Sequence, residues 1–173
     1  PVYSMKKLLF TMALAALPFV AKAGVPTWEM NPHYVGGMHV GYGTSSKVNG
    51  AKMYLGRVML GTFHGVKFND YLETALGVDG HMLTHYYKGQ GLRWGMTAYA
   101  QIRGFYPVTS DFAPMLHMAY GAAISLKPNN GSNFYCEFGP GFRYKKLNFS
   151  CGLQHYGSGK GSNHFFVKTG FYF

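Results

Sequence analysis

The chain lacks any run of about 20 apolar residues, the length a membrane-spanning helix requires. It is also short of acid, with 6 Asp and Glu against 16 Lys and Arg, a net charge of +10. Charged residues of both signs make up only 13% of the chain while aromatics reach 17%, the reverse of a disordered composition. The bases are scattered, with no basic helix and no basic-aromatic motif, so nothing points to a nucleic-acid partner. Cysteine is scarce, with only Cys136 and Cys151. What is abundant is glycine, at 24 residues, and hydrophobic side chains, at 47%. Yet the mean hydropathy is −0.06, too polar for a helical membrane protein. A length of 173 residues fits one domain.

The C-terminal 40 residues resolve that tension, because they alternate. Phe134, Cys136, Phe138, Phe142 and Tyr144 share one parity; Tyr135, Glu137, Gly139, Gly141 and Arg143 share the other. After Lys145-Lys146, Leu147, Phe149, Cys151 and Leu153 alternate with Asn148, Ser150, Gly152 and Gln154. Phe165, Val167, Phe171 and Phe173 then alternate with His164, Phe166, Lys168, Gly170 and Tyr172. Period two is strand geometry, since successive side chains point to opposite faces. An oily face opposite a wet one over many strands predicts an antiparallel transmembrane β-barrel with lipid outside and polar side chains within. A soluble sandwich is the alternative; it would show polar residues on the outer faces of its sheets.

Upstream, Met5 opens a targeting segment. Lys6-Lys7 is a charged start, residues 8–20 are a short apolar stretch, and Ala21-Lys22-Ala23 is a cleavage site. Residues 1–23 therefore read as four preceding residues and a cleavable signal peptide, 24–32 as a periplasmic lead-in, and 33–173 as the barrel. Removal of Lys6, Lys7 and Lys22 leaves 13 of the 16 basic residues against 6 acids, a net of +7. Export together with alternating strands predicts the outer membrane of a Gram-negative cell.

Five further strands precede the last three. The first spans about residues 33–44, followed by a loop over 45–50; the second spans 52–67, with a possible bulge at His64-Gly65. An Asn69-Asp70 turn leads to a third strand, whose outward Leu72, Thr74, Leu76, Val78 and Met82 alternate with Glu73, Ala75, Gly77, Asp79 and His81. A loop over 85–91 and a fourth strand ending near Arg103 follow. A turn then runs from Tyr106-Pro107 to Pro114, and a fifth strand is centred on Tyr120. That gives eight strands of roughly ten residues, an up-and-down barrel whose interior side chains fill. Aromatic girdles fit this arrangement. Tyr34, Phe142, Tyr144, Phe149, Phe171 and Phe173 lie at the periplasmic ends, and Tyr42, Tyr54, Trp94, Phe134 and Phe165 at the other. If the Lys145-Lys146 turn pairs Tyr144 with Leu147, Cys136 faces residue 155 and Cys151 faces residue 140. The thiols are then about 13 Å out of register, too far for a disulfide. Two free, lipid-facing thiols are expected.

Several of these stretches carry a resemblance. Thr62-Phe63-His64-Gly65-Val66 before a turn, the strand with Tyr71, Gly77 and Asp79, and Gly104-Phe105-Tyr106-Pro107-Val108 form one group. Asn133-Phe134-Tyr135, Gly141-Phe142-Arg143-Tyr144-Lys145-Lys146 and the Val167-Lys168-x-Gly170-x-x-Phe173 ending form another. Together they resemble the small outer-membrane β-barrel proteins of Bacteroidetes, the porin-family or outer-membrane β-barrel domain. The resemblance covers nearly the whole mature chain and implies the fold; the family carries no settled chemistry. Phe173 resembles the aromatic ending that barrel proteins present to the outer-membrane assembly machinery.

Three sets of residues could carry chemistry. The inward face holds Arg57, Glu73, Asp79, Arg93, Arg103, Glu137, Arg143 and Lys168, with His39, His81, His117 and His164. A proton path, a metal site or a pore lining would use such residues; so would a salt-bridged plug. An eight-stranded lumen is narrow, and an unpaired buried charge costs several kcal/mol, so a lumen charge network is the favoured reading. A metal needs three or four converging ligands, and these histidines come from different strands. No cofactor or metal is implied. Secondly, His155-Tyr156-Gly157-Ser158 is similar to the His-x-Ser motif of lipid A 3-O-deacylases. Ser158 has the wrong parity, however, and no acid follows Glu137 to complete a triad. Thirdly, Lys47, Lys52, Lys88, Lys127 and Lys160 fall in or beside the expected extracellular loops, level with lipopolysaccharide phosphates.

The reading is a non-enzymatic integral outer-membrane barrel, a structural or interaction component. Its partners would be outer-membrane lipid, lipopolysaccharide and, beyond these, a larger outer-membrane protein. A narrow porin-like channel and a lipid A deacylase-like hydrolase are the alternatives. The targeting segment makes a direct prediction: N-terminal sequencing of protein purified from membranes will begin at Gly24. A start before residue 21 would remove the cleavage site from the account.

Overall fold

The computed structural model describes residues 29–48, 51–85, 93–125, 132–157 and 162–173. At the strand ends 45–48, 51–55, 83–85, 93, 125, 132 and 162 it describes the backbone alone. Eight strands run in order: β1 (His33–Val48), β2 (Ala51–Lys67), β3 (Leu72–His85), β4 (Arg93–Phe105), β5 (Phe112–Ser125), β6 (Ser132–Tyr144), β7 (Leu147–Tyr156) and β8 (Ser162–Tyr172). Each pairs antiparallel with the next, and β1 pairs with β8, closing the barrel. Closure leaves no unpaired edge, which is what lets strands cross a bilayer. Among the described residues no helix is long and apolar enough to cross a membrane.

The alternation seen in the sequence is the pleat of this wall. Leu60, Leu76, Ile102, Leu116, Met118 and Leu153 are exposed, while their chain neighbours Met59, Ala75, Arg103, His117 and Gln154 are buried. A soluble fold would bury that greasy belt; here it is the outer surface of a closed sheet. Tyr34, Tyr144, Phe171 and Phe173 ring the rim where β1 starts and β8 ends, and Tyr42, Trp94 and Phe165 lie in the opposite half. Phe149 is half-buried, against Phe142. The Tyr54 side chain lies outside the described residues.

Several sequence boundaries shift. The loop expected over 45–50 is mostly ladder, with pairing continuing to Val48 and Ala51. Polar strand ends hydrogen-bond through their backbones whatever their side chains, so loss of hydrophobic alternation does not end a strand. The register shift lies between Ser45 and Lys47, and no bulge occurs at His64-Gly65, where β2 pairs in unbroken register with both neighbours. Gly65 serves close approach instead, since a Cβ there would strike the Thr74 carbonyl and Ala75. His64 points outward and bonds Thr62 Oγ1 at 3.1 Å and Tyr34 Oη. The expected turn ending at Pro114 ends earlier, because β5 begins at Phe112. Thr109 Oγ1 accepts from the Asp111 and Phe112 amides and closes that turn. Strands run 10 to 17 residues rather than about ten.

The short turns hold as expected. Asn69 Oδ1 accepts from the Tyr71 and Leu72 amides, and Lys145 adopts φ 53° between paired Tyr144 and Leu147. Cys136 pairs with His155, and both cysteines are free. Pro140, which has no amide hydrogen, sits inside β6, yet Phe138↔Leu153 and Gly141↔Ser150 keep one register across it. Gly139 lets the two backbones close over this gap, because a Cβ there would meet the Cys151 carbonyl oxygen. Gly139→Val is expected to destabilise the barrel by about 1–3 kcal/mol, read from urea unfolding in detergent. A wild-type midpoint would show that β6 and β7 do not need this contact.

Candidate functional site

Alternate residues of every strand project into the lumen, and an eight-stranded interior is only as wide as its side chains. Size complementarity fills it. Gly37 lies where the Phe63 ring passes, and Gly77 where the Tyr99 ring passes; a Cβ at either would collide with the ring. Phe63, Tyr135 and Phe166 are each 0% exposed. At the rim where β1 starts and β8 ends, Phe63 packs edge-on against Tyr172 at 5.3 Å. Parity placed Tyr135, Phe166 and Tyr172 inward, though only the charges and histidines were expected to matter there. These aromatics fill much of the lumen.

The centre of the lumen is ionic. Lys168 from β8 reaches Glu137 Oε2 on β6 at 2.7 Å and Asp79 Oδ2 on β3 at 3.3 Å. His39 Nε2 and the Tyr99 hydroxyl each meet Asp79 Oδ1 at 2.9 Å. His117 Nε2 meets Glu137 Oε1 at 2.9 Å, and Tyr135 Oη and Gln154 Nε2 donate to Glu137 Oε2. Nearer the rim where β1 starts and β8 ends, Arg103 Nη1 bonds Glu73 Oε1 at 3.0 Å and the Tyr172 hydroxyl at 2.7 Å. Its Nη2 donates to Gln101 Oε1, and its guanidinium lies 4.2 Å over the Phe63 ring. Each buried acid thus has a cation, and the carboxylate lone pairs are occupied by further donors, the condition under which buried charge is tolerated.

Other sequence-nominated residues join no such pair. Arg57 is buried and stacks 3.4 Å over the Tyr156 ring, with no ion pair among the described residues. Arg143 is half-buried over Phe105 at 5.0 Å. Arg93 stands in β4, its side chain outside the described residues. Lys47 and Lys52 are cross-strand partners in backbone only; their side chains, and Lys88, Lys127 and Lys160 entirely, lie outside the described residues, as do residues 1–28 and Ser158. Phe173 is exposed, and its amide donates to the Gly36 carbonyl at 3.1 Å. His81 and His164 face inward, but no metal-competent cluster of His, Cys, Asp or Glu forms among the described residues. His155 is spent on Asn163 at 2.6 Å and the Gly157 carbonyl at 2.8 Å. In the rim turn outside the membrane, the hydrogen bond from Lys67 holds the Asp70 carboxyl below the ordinary aspartate range.

The ionic centre makes a stability prediction. Lys168→Met strands Asp79 and Glu137 without their shared cation and should cost about 3–5 kcal/mol in detergent-solubilised protein. Lys168→Met with Glu137→Gln should recover part of that loss. Equal stability of the single variant and wild type in a urea titration would refute the assignment of Lys168 as the shared cation.

No family model matches the chain, and comparison with curated proteins finds no match. Solved structures match in fold. The outer membrane enzyme PagL superposes with a TM-score of 0.54 at 11% identity, covering 80% of this chain and 99% of its own. Neisserial surface protein A superposes with a TM-score of 0.50 at 13% identity, covering 82% and 98%. At such identities the likeness is one of architecture: the small, closed, eight-stranded barrel of outer-membrane proteins.

Proposed function

We propose that this outer-membrane barrel is a non-enzymatic structural or interaction component whose lumen is closed to solutes. The observation that carries the proposal is the Lys168 cluster, a cation bridging two acids from opposite strands inside a bore blocked by Phe63, Tyr135 and Phe166. An ion moving through would have to break these pairs, each of which is costly to leave unmade. The porin-family resemblance then describes fold and not conduction.

Against a hydrolase, the single outward histidine of the lipid A deacylase-like stretch is His155, and both its ring nitrogens are engaged by Asn163 and a backbone carbonyl. A nucleophile would need one of them free as a base. The remaining work falls to the surfaces. The apolar belt takes outer-membrane lipid. Lys47, Lys52, Lys88, Lys127 and Lys160 take lipopolysaccharide phosphates at the far rim. The exposed Phe173 is read by the assembly machinery during insertion, and a larger outer-membrane protein is the class of partner such a small barrel serves.

The test is planar-bilayer recording of purified protein, with mass spectrometry of lipid A from cells expressing it. No discrete conductance steps and unchanged acylation are expected. Current steps would overturn the closed lumen, and loss of an acyl chain abolished by His155→Ala would overturn the non-enzymatic reading.

A further inference from the structure

Between the two ionic clusters lies a small polar cavity. It gives the centre of a water-sized sphere about 10 Å³, and its wall includes Gln101, Arg103, His117 and Asn148. All four residues are at least nine-tenths buried. Four of their polar atoms have no partner among the described residues: Gln101 Nε2, Arg103 Nε, His117 Nδ1 and Asn148 Nδ2. Unsatisfied buried groups are costly, and four on one wall call for a shared ligand.

We infer that this cavity binds a single water molecule, which joins the Lys168–Glu137–His117 cluster to the Arg103–Glu73–Tyr172 cluster in one hydrogen-bonded network. A cavity that leaves a water-sized sphere about 10 Å³ for its centre exceeds the roughly 10–15 Å³ of occupied volume that a water needs, so a water fits. The polarity of the wall fits as well. Gln101 Oε1 accepts from Arg103 Nη2, which turns the amide nitrogen to the cavity as a donor. Arg103 Nε can only donate. His117 Nε2 faces a carboxylate oxygen and so carries its hydrogen, and its Nδ1 is left without a partner. Water can accept from two of the three donors, Gln101 Nε2, Arg103 Nε and Asn148 Nδ2, and can meet His117 Nδ1 as donor or acceptor. A halide can only accept. It would also add an anion beside Glu73 and Glu137, carboxylates that already hold Arg103 and Lys168.

The test is a pair of high-resolution crystal structures of protein purified from membranes in detergent, one grown in sodium chloride and one in sodium bromide. The expected result is one density peak in the cavity with at least three nitrogen or oxygen neighbours at about 2.7–3.2 Å, and no anomalous bromine signal there. A bromine peak would overturn water in favour of an anion, and a cavity closed by side-chain movement would overturn the site. In Gln101→Leu the peak should be lost; its persistence with unchanged contacts would refute the part assigned to Gln101. The wild-type pair decides the question on its own should that variant fail to fold.

Discussion

One ammonium group sits where the barrel can least tolerate an error. Lys168 belongs to β8, the closing strand, and its partners Asp79 and Glu137 come from β3 and β6. The Asp79 contact spans the β1–β8 seam and needs the closed cylinder, whereas Glu137 is reached through β7. A buried carboxylate is expensive without a cation, and closing the barrel brings Lys168 to Asp79. Gly41, which pairs with Lys168 across the β1–β8 seam, has no Cβ to block the lysine stem.

Around that centre the lumen is built by exchange of sizes and of polarity. Glycines stand opposite the large rings of Phe63 and Tyr99, and these rings divide the bore into layers. The ionic layers are insulated from water by aromatic ones, which strengthens every charge contact inside. The arginines share this logic in different ways: Arg103 is paired with Glu73 and stacked on Phe63, whereas Arg57 lies on Tyr156. The outer wall inverts the usual protein, with exposed leucines and methionines that hydrocarbon, and not a second layer, must cover.

A barrel so filled has its polar groups paired with one another inside and its apolar groups outside. PagL and Neisserial surface protein A share this architecture at 11% and 13% identity, and one architecture serves many functions. The distinction must therefore rest on particular side chains, such as a His155 already engaged on both ring nitrogens.

Period-two alternation, read with the turn residues, determined the strand count and which face is greasy, because pleat parity is local and survives translation into three dimensions; the Tyr144–Leu147 pairing assumed for the Lys145-Lys146 turn is present, and the two thiols are unbridged. Alternation misjudged where strands stop: β1 and β2 continue through polar residues to Val48 and Ala51, since ladder hydrogen bonds are made by backbone and not by side chain. His64-Gly65 looked irregular because a glycine can mark either a bulge or a close approach, and only the neighbouring Ala75 tells which. Parity also placed Lys168, Asp79 and Glu137 inside, yet it could not say that they meet. That depends on shear and on diameter, properties of the closed cylinder which no single strand carries.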